Sequence, residues 1–437
     1  MKNVAIITTF RDAQEAYSLN RVVINQLKMF IHAGYNVKVV VCKGFRPEGW
    51  YAHKQVTCVE IPDVPVSNSV DIDKTFNEDV SLLLEAFRGI LRDVDVAITH
   101  DIVYQPACIK HNTALRTLVL EDKSIKTLFL HWIHSATTPA IVEELRGGGE
   151  RYMKSFRQTF PRSFYIAFNQ LSVPRIASWF KIEEDRVKYV PHPHDFLEYK
   201  DPLVEKLFLD YNLLSKDVIC AYPVRLDRGK QVEAVVKIMA QVKKLNRSVC
   251  LIVADFHSTG GDKVTYRNEL KNLGISLGLT ESDLIFLSEF DRKEGEGYRG
   301  EISHKAIQEI FSLTNVFVMP SRSETYSLVT QEAIANRNFV VLNQDLTPLR
   351  SIFGDDAYYR QFSSNINANT GLDGETNVAF QNEEEYHKGT AQYINYVLEN
   401  TRVLALHNKI RKTKNLDYVF RYHIEPLLYA DPKQFNY

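Results

Sequence analysis

Two short stretches of this chain gather the residue types that can hold an anion and the hydroxyls beside it. The first is Tyr222-Pro223-Val224-Arg225-Leu226-Asp227-Arg228-Gly229-Lys230. Arg225 offers a planar fork for paired oxygens and Lys230 a compact point charge, a combination that suits a diphosphate. The second is Pro320-Ser321-Arg322-Ser323-Glu324-Thr325-Tyr326-Ser327-Leu328-Val329-Thr330-Gln331-Glu332-Ala333. Here a strand ends and a helix begins, so unpaired backbone N–H groups near Ser327 and Leu328 can receive phosphate oxygens. Glu324 and Glu332 cannot serve the phosphate itself. They suit hydroxyls on either side of it, a ribose and a sugar. Taken singly, each residue has a plainer reading: solvated charges beside Asp227, a turn acid, a helix-start acid favoured by the dipole. The combination favours a ligand site.

The elements that position these stretches are legible as periodicity. Short β-branched runs at Val4 to Thr8, Val37 to Cys42, Val96 to Thr99, Thr127 to Leu130, Tyr165 to Phe168 and Lys188 to Val190 read as strands. Residues 16–33 carry Val23, Leu27, Phe30 and Ile31 at helical spacing, with Gly34 as a stop. The rhythm restarts with strands at Val218 to Tyr222, Val249 to Ala254, Leu284 to Leu287, Val316 to Met319 and Phe339 to Leu342. Helical patterns lie between them, at about 231–246, 264–277, 303–313 and 327–336. Strand and helix alternating in this way imply βαβ units and parallel sheets. The expected fold class is α/β, with two Rossmann-like parallel-sheet domains facing a ligand cleft. Residues 192–216 read as the interdomain link, 363–377 as a polar loop, and 386–430 as helical and packing back across the first domain.

The glycine fingerprint of dinucleotide binding is missing. The first strand is followed by Thr9-Phe10-Arg11-Asp12-Ala13-Gln14, which argues against a nicotinamide-dependent dehydrogenase, and no Walker loop follows any strand. Arg225 with Lys230 five residues on, then Glu324 and Glu332 separated by seven residues, lie in this order about 95 residues apart. With Pro320-Ser321 before the first glutamate and Ala333 after the second, they resemble the retaining glycosyltransferases of family 4 with the GT-B fold, over about 200–355. In the first half, three stretches are similar to that family more weakly. They are Asp95-Val96-Ala97-Ile98-Thr99-His100, Phe129-Leu130-His131-Trp132-Ile133-His134-Ser135 and Tyr189-Val190-Pro191-His192-Pro193-His194-Asp195.

The resemblance implies a domain at 1–200 on the acceptor side, a nucleotide-sugar-binding domain at 201–405 and a C-terminal helical segment at 406–437. It implies that Arg225 and Lys230 stabilise the departing diphosphate, with Ser327 and Leu328 at the helix start. Glu332 would hold the ribose, Glu324 would face the sugar, and His134 would line the sugar from the first domain. His131 competes with His134 for that role, and His100 is a further candidate. Ser327 stands where the family often has glycine, and a serine there can cap the helix. The His192, His194 and Asp195 cluster has a metal-like composition but reads as a hinge. The stretch 146–157, with glycines, basic residues and aromatics, reads as a solvated loop, with a polyanionic acceptor left open.

The expected activity is transfer of a sugar from a nucleoside-diphosphate sugar to an acceptor hydroxyl, with retention and without a metal or other cofactor. A sugar-nucleotide epimerase of the same fold, or an inactive transferase-like partner subunit, is the alternative. The acceptor stays open among a lipid, a glycan, a small molecule and modified DNA. The 437 residues suit two domains, and 53 Lys plus Arg against 54 Asp plus Glu show no global field for nucleic acid or an anionic membrane. Five scattered cysteines without Cys-x-x-Cys spacing suit reduced buried thiols. No apolar run approaches the roughly 20 residues of a membrane span, so the expected location is cytoplasmic, free or peripheral.

Overall fold

The computed structural model describes residues 2–14, 17–64, 75–134, 159–255, 263–290, 302–362 and 383–430. The chain divides into two units. One comprises residues 1–195 together with 414–437, and the other residues 196–413.

The first unit is built on seven parallel strands: β1 (Val4–Ile7), β2 (Val37–Cys42), β3 (Val56–Ile61), β4 (Val96–His100), β5 (Leu128–Trp132), β6 (Ser163–Ala167) and β7 (Val187–Tyr189). Helices α1 (Ser18–His32), α2 (Phe76–Leu91), α3 (Ile109–Glu121) and α4 (Val173–Phe180) connect them. The strand order is β3-β2-β1-β4-β5-β6-β7, and every pair is parallel. Strands such as Val-Ala-Ile-Ile carry apolar side chains at successive positions because both sheet faces are covered. One face packs on α2 and α3 through Leu83, Phe87, Leu115 and Leu118, the other on α1 through Val23, Leu27 and Phe30.

The second unit opens with α5 (Pro202–Asp210), then β8 (Val218–Pro223), α6 (Val232–Lys244), β9 (Val249–Ala254), α7 (Lys263–Ser276), β10 (Leu284–Phe286) and α8 (His304–Leu313). It continues with β11 (Val316–Met319), α9 (Leu328–Ala335), β12 (Phe339–Asn343), α10 (Thr347–Phe353), β13 (Tyr358–Arg360), α11 (Glu383–Asn400) and α12 (Arg402–Thr413). The order β10-β9-β8-β11-β12-β13 is again wholly parallel. In both sheets the winding direction reverses, between β1 and β4 and between β8 and β11. A doubly wound sheet opens a crevice at the carboxyl ends of the strands on either side of such a reversal. Both units are Rossmann-like.

Three expectations from periodicity are corrected. Residues 202–210 form α5 inside the second unit, so 192–216 is not a linker throughout. The helical run after 383 is shared between the units. Helix α11 docks on α6 and the turn that follows it, with Lys237 Nζ 2.7 Å from Glu383 and Arg247 Nε donating to Asn395 at 2.6 Å. Only the end of the described run belongs to the first unit, where Phe420 meets Phe30 of α1 edge to face at 5.5 Å. Strands β3 and β13 were missed. Both are edge strands with partly exposed side chains, so neither shows a continuous apolar run. No described helix is long and apolar enough to cross a membrane.

Asp283 illustrates what holds β10 in place. It closes a capping box with Thr280 and accepts from Lys216 at 3.1 Å and Lys243 at 2.7 Å. Burial alone would raise its carboxyl, but these bonds outweigh it and bring the value from 3.8 down to about 2. A depressed folded value means stability present above the unfolded value and lost as pH falls toward 2. Asp283→Asn should therefore cost on the order of 2 kcal/mol at pH 7 and flatten the acid loss between pH 4 and 2. Urea unfolding across that range checks this, and an acid limb unchanged in the variant would refute it.

Candidate functional site

The loops after β8 and β11 flank the reversal in the second sheet, and main-chain and side-chain bonds stitch them into one body. Arg322 N donates to Gly229 O at 2.9 Å, and Gln231 Nε2 to Pro320 O at 2.6 Å. The buried Tyr222 hydroxyl donates to Lys230 O at 2.9 Å and lies 3.2 Å from Ser321 Oγ. Asn343 Nδ2 donates to Ser321 O at 3.0 Å. Unpaired backbone groups would be costly this close to the core, so these bonds fix the path of both loops.

The stitching brings the two sequence clusters together. Lys230 Nζ donates to Glu324 Oε1 at 2.5 Å, with both side chains about four-fifths shielded (20% and 18% exposed). Arg225 lies on the same loop and is more open, its Nε 3.5 Å from Asp227 Oδ2. Arg228 turns aside to Glu269 at 2.9 Å and lies over the Tyr266 ring.

Helix α9 starts at Leu328, whose side chain is exposed, four residues after Glu324. Its first-turn N–H groups have no intrahelical acceptor. Ser327 does not cap them through its side chain, contrary to the sequence expectation. Its φ is +56°, in the left-handed region, and its hydroxyl lies 2.7 Å from the Thr330 hydroxyl instead. That backbone geometry favours glycine at this position. Glu332, farther along α9, meets His304 Nε2 at 2.9 Å through Oε1. His304 escaped the sequence reading, although its place at the start of α8 after the capping Ser303 was available as a signal.

In the first unit the carboxyl ends of β4 and β5 bring His100, Asp101 and His134 together. His134 Nε2 lies 2.9 Å from His100 Nδ1, and His100 Nε2 lies 2.9 Å from Gln26 Oε1 on α1. The His134 backbone N–H donates to Asp101 Oδ1 at 3.2 Å, which also accepts the Tyr104 hydroxyl. Asp101 is held at φ +60°. The His134 ring lies nearly parallel to His192, with centroids 5.3 Å apart and planes within 2°. Burial lowers all three imidazoles, His134 and His192 to about 4 and His100 well below its ordinary value.

His131 goes elsewhere. It is fully buried among Phe129, Phe160 and Tyr165, with Nδ1 2.7 Å from the Thr99 hydroxyl. The His192, His194 and Asp195 cluster is taken apart by the fold. His192 stacks on His134, the His194 N–H donates to Lys414 O, and Asp195 forms a buried pair with Lys28 at 2.7 Å. Among the described residues no group of three or more His, Cys, Asp or Glu is placed to share an ion. Of the two Asp-x-Asp triplets, Asp93-Val94-Asp95 lies at the amino end of β4, away from the ligand-binding ends of the strands. Asp93 pairs there with Lys38 and Asp95 accepts from Asn3. Asp71-Ile72-Asp73, the 146–157 stretch and the 363–377 loop lie outside the described residues.

Residues 205–412 match the family model described as "Glycosyl transferases group 1", nearly the whole of the second unit. No curated protein matches the chain. Among solved structures, a glycosyltransferase from Rickettsia africae is 14% identical with a TM-score of 0.36, covering 98% of this chain and 99% of that one. HepE from Anabaena, solved with UDP and glucose, is 14% identical with a TM-score of 0.35, covering 98% and 100%. Sucrose-phosphate synthase from Thermosynechococcus elongatus is 16% identical with a TM-score of 0.34, covering 98% and 96%.

Proposed function

Taking residues 205–412 as a group 1 glycosyl transferase domain, we propose that the chain transfers a sugar from a nucleoside-diphosphate sugar to an acceptor hydroxyl, with retention of configuration. The observation that carries this reading is the Lys230–Glu324 contact, 2.5 Å across loops 94 positions apart. It places a cation and a carboxylate side by side at the reversal of the sheet, four residues before a helix start with N–H groups to offer.

In this reading Arg225, Lys230 and the N–H groups at Ser327 and Leu328 hold the diphosphate and stabilise the charge it gains on leaving. Glu332 binds the ribose hydroxyls, and Glu324 meets the sugar. In the first unit His134 contacts a sugar hydroxyl. The acceptor oxygen bonds to the anomeric carbon on the face from which the diphosphate departs. The bond from that carbon to the phosphate oxygen breaks, and the acceptor's proton passes to a departing phosphate oxygen. The fixed cations and the helix terminus supply the neutralising charge, so no metal is required.

A thermal-shift panel of nucleoside diphosphates and their sugars tests donor binding. A ligand at 100 times its dissociation constant should stabilise the chain by about 2.7 kcal/mol. No shift with any member would remove the donor-site reading. Turnover of the donor so found should persist in EDTA. Complete loss on chelation, restored by manganese, would show that a metal supplies the charge neutralisation instead. Product analysis with donor alone separates transfer from epimerisation.

A further inference from the structure

A chain of contacts from Gln26 through His100 reaches one ring nitrogen of His134. Gln26 is buried on α1 with its amide oxygen 2.9 Å from His100 Nε2. With the Gln26 amide turned this way His100 Nε2 donates, because an amide oxygen only accepts. A neutral imidazole has one N–H, and His100 Nδ1 is therefore an acceptor. The atom facing it at 2.9 Å is His134 Nε2, which must donate in turn. His134 is thereby left with Nδ1 unprotonated, and no described residue bonds to that nitrogen. Its ring is held flat against His192, with Phe168 stacked on both.

We propose that Gln26 and His100 are positioning residues that lock His134 in its Nε2–H tautomer, so that Nδ1 accepts a hydrogen bond from a sugar hydroxyl. This rests on the reading of His134 as a residue that meets the sugar. A lone pair at that nitrogen selects a hydroxyl and gives nothing to a phosphate oxygen, which lacks a proton to donate. The surroundings keep the ring neutral. The titratable groups facing it are His100 from β4, His192 after β7, and Asp101, whose Oδ1 is engaged by the His134 backbone N–H and by Tyr104. A second imidazolium beside His100 or His192 would be opposed by burial and by like charge.

The tautomer is read directly from two-bond proton–nitrogen spectra of the full chain labelled with 15N-histidine, with His134 assigned by the loss of its signals in His134→Gln. The expected wild-type pattern is a protonated-type Nε2, an unprotonated-type Nδ1, and no titration between pH 5 and 8. Gln26→Met removes the amide acceptor and His100→Phe removes both ring nitrogens. Each should move the His134 shifts toward an average of the two tautomers. An Nδ1–H pattern in the wild type, or shifts unmoved in both Gln26→Met and His100→Phe, would overturn the lock.

The sugar contact is read separately, from hydrolysis of UDP-glucose, GDP-mannose and ADP-glucose. His134→Gln should lower turnover of the preferred donor about tenfold. Gln26→Met should lower it in the same direction. A confirmed tautomer with turnover indifferent to His134→Gln would leave the lock standing and remove His134 from the sugar.

Discussion

Lys230→Met should weaken binding of a free nucleoside diphosphate by on the order of a hundredfold, the largest loss expected of any single substitution in the second unit. Losing a hydrogen bond to a charged group costs about 1.5–3 kcal/mol, or roughly tenfold to a hundredfold. The substitution also strips Glu324 of the cation 2.5 Å away. That carboxylate, mostly shielded from water, would then repel the incoming phosphates, which places the loss at the upper end. Arg should not replace Lys here, because a planar guanidinium cannot fill the place of a compact ammonium packed against one carboxylate oxygen. Removing the repulsion as well, in Lys230→Met with Glu324→Gln, should recover part of the affinity. The double-mutant cycle measures the coupling between the two residues. Calorimetry with UDP, GDP and ADP supplies all the values, and Lys230→Met binding as well as wild type would end the phosphate assignment.

The two glutamates should respond in opposite ways. Glu332→Ala should weaken both the sugar nucleotide and the free diphosphate by roughly tenfold to a hundredfold, because the ribose it is assigned to hold is common to both. Glu324→Ala should lower turnover by at least that factor, since its contact is assigned to the transferred group and the charge developing there. Yet the same variant should bind the free diphosphate as tightly as wild type or a few times tighter. In the free protein Glu324 already occupies Lys230, and the diphosphate must compete for that ammonium. Even an exposed ion pair is worth up to about 1 kcal/mol, a few-fold in affinity. Equal and negligible losses in the two variants would return Glu324 and Glu332 to a turn acid and a helix acid. A parallel loss of diphosphate affinity in both would show that Glu324 orients Lys230 for phosphate rather than competing with it.

Much of this protein is written locally. Buried parallel strands need apolar side chains on both faces, so Val249–Ala254 or Val316–Met319 announces itself in a few residues. The pairing of Arg225 and Lys230 with Glu324 and Glu332 is a spacing, and spacing survives in one dimension. Two of the four edge strands escape because their side chains are partly exposed, which breaks the apolar run of Val56–Ile61 and leaves Tyr358–Arg360 without one. Ser327 escapes for a different reason. Its residue type suits a side-chain cap, but the chain path through the stitched loops imposes a left-handed φ and sends the hydroxyl to Thr330.

The histidines mark the boundary most clearly. His100, His131, His134, His192 and His194 all stand at or near strand ends, and residue type alone cannot rank them. Strand register decides. His131 pairs beside Tyr165 within β5 and turns into the core, whereas His134 lies beyond the strand end. The Gln26 oxygen that fixes the protons of this cluster comes from a helix 74 positions before His100. Periodicity determines which residues lie on which element, because it follows from backbone geometry within a few residues. Which nitrogen carries a proton, and which carboxylate meets which cation, depends on distances between elements that only the packed sheets define.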